Sequence, residues 1–146
     1  FNERRFDIAL LAQPLYKDFK KILKSIRENL NENGVFIIVR WIDEGNDYNA
    51  LLTPFWNKDK ELMRSVNNFS KNFIRDVREY FHVKKKIVIN TYYSYSNREF
   101  LVKSLEQDSP KRFSLKDKVV LESLFRKYNY KKIKIAMKMY LCEKRG

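Results

Sequence analysis

The sequence predicts an α+β fold: a single domain over 1–146, with helices packed on a mixed or antiparallel sheet. Three observations carry this. Long stretches repeat their apolar residues at helical spacing, at least three others are β-branched runs or alternate at period two, and no repeat or linker divides the chain. The 146 residues are 44% hydrophobic, which suits one core.

The elements follow in chain order. Phe6 to Leu11 is mostly apolar, and its short run leaves strand and helical lead-in both open. From Leu15 to Leu30, Tyr16, Phe19, Leu23, Ile26 and Leu30 keep helical spacing, while Lys17, Lys20, Lys21, Lys24 and Arg27 gather on the other side. Gly34 is expected to end this helix as a left-handed cap. Val35 to Ile42 is almost continuously apolar, the pattern of a central strand covered on both faces. The polar turn Asp43-Glu44-Gly45-Asn46-Asp47 follows at the strand's end, and Leu51 to Trp56 is expected to be extended around Pro54.

Asn57 is placed to cap a helix from Lys58 to about Phe81, with Leu62, Val66, Phe69, Phe73, Val77 and Tyr80 as its buried stripe. At 100° per residue, Glu61, Asn68, Asn72 and Glu79 line its polar side beside Arg64, Lys71, Arg75, Arg78 and His82, with Asp76 at the boundary. Val83 to Tyr95 reads as a strand, with Lys84, Lys85 and Lys86 in a turn at its start and Tyr92, Tyr93 and Tyr95 near its end. Ser96 with Glu99 forms a capping box for a short helix through Leu105, and Gln107 to Arg112 is a loop. Ser114 with Asp117 opens another helix, whose Leu121, Leu124, Phe125 and Tyr128 share a face. Last, Ile133, Ile135, Met137, Met139 and Leu141 alternate with Lys132, Lys134, Ala136, Lys138 and Tyr140, a half-buried strand with a basic outer face.

Lys plus Arg number 31 against 18 Asp plus Glu, a net charge of +13 that attracts polyanions, nucleic acid first among them. One Cys and one His exclude an internal disulfide, a four-ligand structural zinc site and histidine-rich nuclease chemistry. Three Gly leave no room for a Walker loop or a dinucleotide fingerprint. No apolar run approaches the roughly 20 residues that span a bilayer, and no signal-peptide pattern opens the chain, so an intracellular protein without a membrane partner is expected. The chain opens on Phe1, which implies that its natural N-terminus is missing. Its oligomeric state is left open.

Phosphodiester hydrolysis needs an activated water and neutralisation of the phosphorane charge, and a carboxylate holding Mg²⁺ serves both. Glu79 is the candidate for that acid and metal ligand. Asp76 or the Asp43 to Asp47 turn would complete the ligand set, and His82 would position water or contact phosphate. Arg75, Arg78, Lys84, Lys85 and Lys86 would bind the backbone of double-stranded DNA. The same residues admit a non-catalytic reading, in which the cations bind DNA alone, Glu79 is a surface ion pair and His82 caps its helix.

With Glu79 where it is, nearly the whole chain resembles the small orphan nucleases of filamentous viruses (lipothrixviruses) of the hyperthermophilic archaeon Acidianus. The resemblance implies a fold remotely like the nucleotidyltransferases and a viral protein of the host cytoplasm. It also implies hydrolysis of linear double-stranded DNA, with Glu79 as the essential acid. The chain departs from it at Ala50, where a lysine is implied, and so lacks one cation that would meet phosphate.

Overall fold

Apolar alternation and helical spacing resolve into nine elements among residues 5–13 and 17–146, the part of the chain that the structure, a computed structural model, describes. They are β1 (Phe6–Ala12), α1 (Phe19–Asn29), β2 (Leu30–Trp41), α2 (Asp47–Trp56), α3 (Lys60–Tyr80), β3 (Phe81–Tyr93), α4 (Arg98–Asp108), α5 (Leu115–Phe125) and β4 (Ile133–Lys144). Leu15 and Tyr16 of the expected first helix lie outside the described residues. The strands form one sheet of order β1-β2-β4-β3. β1 runs parallel to β2, and β2 antiparallel to β4, so the α+β class and the mixed sheet are as expected. The chain divides into two compact units whose boundaries in sequence fall near or inside these elements.

The first unit comprises Phe1–Trp41, Ser65–Ile89 and Met137–Gly146. Phe19 and Leu23 of α1 and Phe73 and Val77 of α3 close on Phe36 and Ile38 of β2, Phe81 of β3, and Tyr140 and Cys142 of β4. Phe19 stacks on Phe73 at 5.4 Å between ring centroids and meets Phe69 edge-on at 5.0 Å. Each fully buried side chain of this kind contributes roughly 1.5–3 kcal/mol of transfer free energy. Burial lifts the Cys142 thiol to about 12, so it behaves as a small apolar group.

Three expectations are corrected in this unit. β2 is not covered on both faces: Phe36 and Ile38 are buried, but Val35, Ile37 and Val39 are only half-buried. β4 from Met137 onward buries Tyr140 and Cys142, so the face expected to point outward points into the core, and Met137, Met139 and Leu141 are half-exposed. Gly34 caps no helix. It sits inside β2, where a Cβ would lie 2.7 Å from Leu30 Cγ and 3.0 Å from the Asn31 carbonyl oxygen. That tight approach accompanies a register shift of β1 on β2 between Phe6 and Ile8.

The second unit comprises Ile42–Arg64 and Asn90–Ala136. Leu51 to Trp56 is helical, not extended: α2 buries Tyr48, Leu51, Leu52 and Phe55, and that burial outweighs the backbone bond lost at Pro54. Asn46 caps α2 by accepting the Asn49 N–H at 2.9 Å. Asp59, not Asn57, takes the N–H of Leu62 at the start of α3, and Asn97, not Ser96, takes that of Phe100 in α4. Ser114 and Asp117 form the expected reciprocal capping box of α5.

Candidate nucleic-acid interface

The first unit brings most of the sequence-predicted site residues together. α3 ends at Tyr80 and β3 begins at Phe81 with no turn between them, so Lys84, Lys85 and Lys86 lie within the strand, all exposed. Alternation along β3 puts Lys84 and Lys86 on one face and Lys85 on the other. His82 is the exposed second residue of β3 and caps no helix. Glu79, Arg75 and Arg78 stand exposed on the last turns of α3, with Asp76 half-buried between them.

The carboxylates of this surface are already engaged. Lys20 of α1 donates to Glu79 Oε2 at 2.6 Å and lies 3.7 Å from Asp76 Oδ1. Arg75 donates to the same Asp76 oxygen through Nε at 3.3 Å and Nη2 at 3.2 Å. The Lys20 ammonium holds the Glu79 carboxyl below the usual carboxylate range, and Glu79 in turn raises Lys20. This is the surface ion pair that the non-catalytic reading of Glu79 describes.

Sequence reasoning missed what flanks the pair. Arg27 of α1 donates to the Arg145 carbonyl at 3.0 Å, and Arg145 donates to the Arg78 carbonyl at 2.8 Å, so α1, the chain's last residues and α3 meet in three arginines. The Arg145 N–H bonds the Tyr80 carbonyl oxygen, at 3.2 Å, and Lys84 pairs with Glu143 at 3.2 Å. Arg27 was visible only as part of a helical lysine stripe, and Arg145 carried no signal. Among the described residues, Arg27, Arg78, Arg145, Lys85 and Lys86 form no ion pair. α1, α3 and the chain's last residues thus meet where α3 passes into β3, and the acids there, Asp76 and Glu79, already have cationic partners.

Glu79 and Asp76, the acids expected to hold Mg²⁺, both lie within reach of the Lys20 ammonium. Among the described residues, no three His, Cys, Asp or Glu side chains come together in a group able to hold a metal ion. The Asp43 to Asp47 turn is engaged within the second unit. Asp43 accepts from the Asn49 side chain at 3.0 Å, and Asp47 accepts the Lys134 N–H at 3.1 Å. Gly45, with φ of 68°, supplies the left-handed residue that turn needs.

Elsewhere in the second unit a cleft of about 90 Å³ is lined by Phe55, Lys58, Pro110, Arg112, Phe113 and Asp117. It is well below the roughly 300–1,000 Å³ of ligand pockets. Lys58 pairs there with Asp117, and with the Ser114 N–H and hydroxyl it holds that carboxyl at about 2. Tyr92 and Tyr93 are both exposed, with Lys132 over Tyr92 at 5.0 Å and Tyr93 edge-on to Tyr48 at 6.5 Å.

No protein-family model matches the chain, and no curated protein matches it. Among solved structures, it is similar to a Bacillus halodurans protein described as a candidate methyltransferase. The TM-score is 0.53 at 11% identity, over 99% of this chain and 66% of the other. The chain therefore spans just under two thirds of that protein's length, and the likeness is one of fold. The expectation of a metal-assisted deoxyribonuclease is corrected on this finding: the similar structure is described as a candidate methyltransferase, not a nuclease. A fold shared with a candidate enzyme is compatible with enzymatic activity and specifies no reaction. Among the described residues, no helix is long and apolar enough to cross a membrane.

Proposed function

We propose that the protein binds double-stranded DNA through the cationic surface of its first unit, with no catalytic role for Glu79. The observation that carries this is the meeting of Arg27, Arg78 and Arg145 at the start of β3, the strand that bears the exposed Lys84, Lys85 and Lys86, where the carboxylates of Glu79 and Asp76 already have cationic partners. A duplex presents about one negative charge per 1.7 Å of axis, and cations of this kind bind it by releasing its counterions. Single strands are held by stacking on exposed rings. Phe73 of α3 and Phe81 of β3 are buried and offer no such ring, which favours a partner gripped by its backbone.

The test is a gel shift with a linear duplex, comparing the wild type with Lys85→Ala/Lys86→Ala. The variant is expected to bind more weakly on every sequence tried, since phosphate contacts carry no sequence information. Equal affinity of the two proteins overturns the assignment. A second reading, methyl transfer, rests on the fold likeness alone. It predicts that label moves from a methyl donor to DNA in the same incubations.

A further inference from the structure

We propose that the second unit holds a single-stranded stretch of nucleic acid, stacking its bases on Tyr92 and Tyr130 and meeting its phosphates with Lys131 and Lys132. None of these residues belongs to the duplex-binding surface of the first unit. A single strand differs from a duplex in offering unpaired bases, and every base has a π-face that an accessible ring can take. Such a strand therefore calls for accessible rings interleaved with cations that no acid has claimed.

Two segments of the second unit bring both together. The Tyr95 N–H bonds the Tyr130 carbonyl oxygen at 3.0 Å, which ties the residues just after β3 to those just before β4. Asn129 fixes the turn that follows: its carbonyl accepts the Lys132 N–H at 2.8 Å, and its side chain accepts the Lys131 N–H at 3.0 Å. Alternation along β3 puts Asn90 and Tyr92 on one face, both exposed, Tyr92 by 52%. The Lys132 ammonium lies over the Tyr92 ring at 5.0 Å, and that of Lys131 over the half-buried Tyr130 ring at 6.0 Å. Two pairs of ring and lysine thus stand on adjoining segments.

Charge and chemistry select the occupant. Lys131 and Lys132 are exposed, and among the described residues neither pairs with a carboxylate. A lysine over a ring at an exposed site is held weakly, so a base can take its place on the ring while the flexible stem carries the ammonium to a phosphate. Asn90 adds an exposed amide on the Tyr92 face, a group that bonds the edge of a stacked base. An acidic protein would engage the two lysines and leave the rings idle, whereas a single strand uses both. A duplex keeps its bases paired and stacked inside, so this site distinguishes the two by strand state rather than by charge.

Fluorescence anisotropy of a labelled single-stranded thymidine oligonucleotide, titrated with the full chain at about 0.2 M salt to weaken backbone attraction, tests this, with a linear duplex measured in parallel. The wild type is expected to bind the single strand, and Tyr92→Phe, which keeps the ring, to bind it equally well. Tyr92→Ala is expected to bind the single strand about tenfold more weakly, with its duplex affinity and circular dichroism spectrum unchanged. Lys85→Ala/Lys86→Ala reports on the first unit instead: it weakens duplex binding and leaves the effect of Tyr92→Ala on the single strand in place, so failure of either reading is told apart from failure of the other. A Tyr92→Ala protein that binds the single strand as the wild type does overturns the proposal. So does an equal loss on single strand and duplex, since the ring would then be structural. A loss in Lys131→Ala/Lys132→Ala without one in Tyr92→Ala also overturns it, because the patch would then hold charge alone.

Discussion

The two outer strands of the sheet have opposite chemistry. β3 presents three consecutive exposed lysines at its start, and β1 presents Ile8 and Leu10 with no cation along its length. Both rest on the same core: Phe81 of β3 is fully buried, and Ala9 and Leu11 of β1 pack against the same cluster. Their difference therefore lies in what each shows to solvent. Lysines on an edge strand discourage addition of another strand and attract polyanions, whereas a bare apolar edge does neither.

The largest effect is expected from reversing the basic edge. Lys84→Glu/Lys85→Glu/Lys86→Glu is expected to reduce duplex affinity at least about a thousandfold near 0.1 M salt, since three phosphate contacts become repulsions. Fluorescence anisotropy measures this, and circular dichroism should show the fold intact because all three side chains are exposed.

Next comes Gly34→Ala. The new Cβ would press on Leu30 and on the Asn31 carbonyl at the point where β2 receives β1, and overpacking of this kind costs about 1–3 kcal/mol. Urea denaturation should show the loss. Ile8→Lys/Leu10→Lys should change stability by less than about 0.5 kcal/mol, as exposed substitutions do. If Gly34→Ala proves neutral, β2 is not held as tightly to its neighbours as the structure shows.

The smallest effect is expected at Glu79. Glu79→Ala removes a carboxylate from the basic side and releases Lys20, so duplex binding should tighten, by less than about tenfold. A loss of binding would show that Glu79 organises the surface. The pH dependence follows from the lowered carboxyl. The pair with Lys20 stabilises the folded state above the ordinary carboxylate range and is lost as the pH falls through Glu79's depressed value. Acid unfolding of Glu79→Ala should therefore lack that component.

Local signals were the ones the sequence displayed. The Ser114 and Asp117 capping box, the 21-residue α3 and the β-branched run of β2 each depend on neighbours within a few positions. What stayed hidden depends on distant partners. Lys20 meets Glu79 across 59 positions and Arg27 meets Arg145 across 118, so neither contact leaves a local pattern. Proline at position 54 argued against a helix, but four buried side chains on α2 outweighed it. In β4, both alternating sets contain apolar residues, so alternation alone chose the wrong inner face beyond Met137. Gly34 followed a helical stretch and had the look of a cap, but the constraint on it is the space beside Leu30.

The most direct test of the DNA-binding account is the affinity for one labelled duplex across a salt series, with the wild type and Lys84→Ala/Lys85→Ala/Lys86→Ala measured side by side. The account predicts that wild-type affinity falls steeply with salt, and that the variant's slope of log affinity against log salt is shallower by about 1 for each lysine removed. Identical slopes would contradict it, since the lysines of β3 would then touch no phosphate.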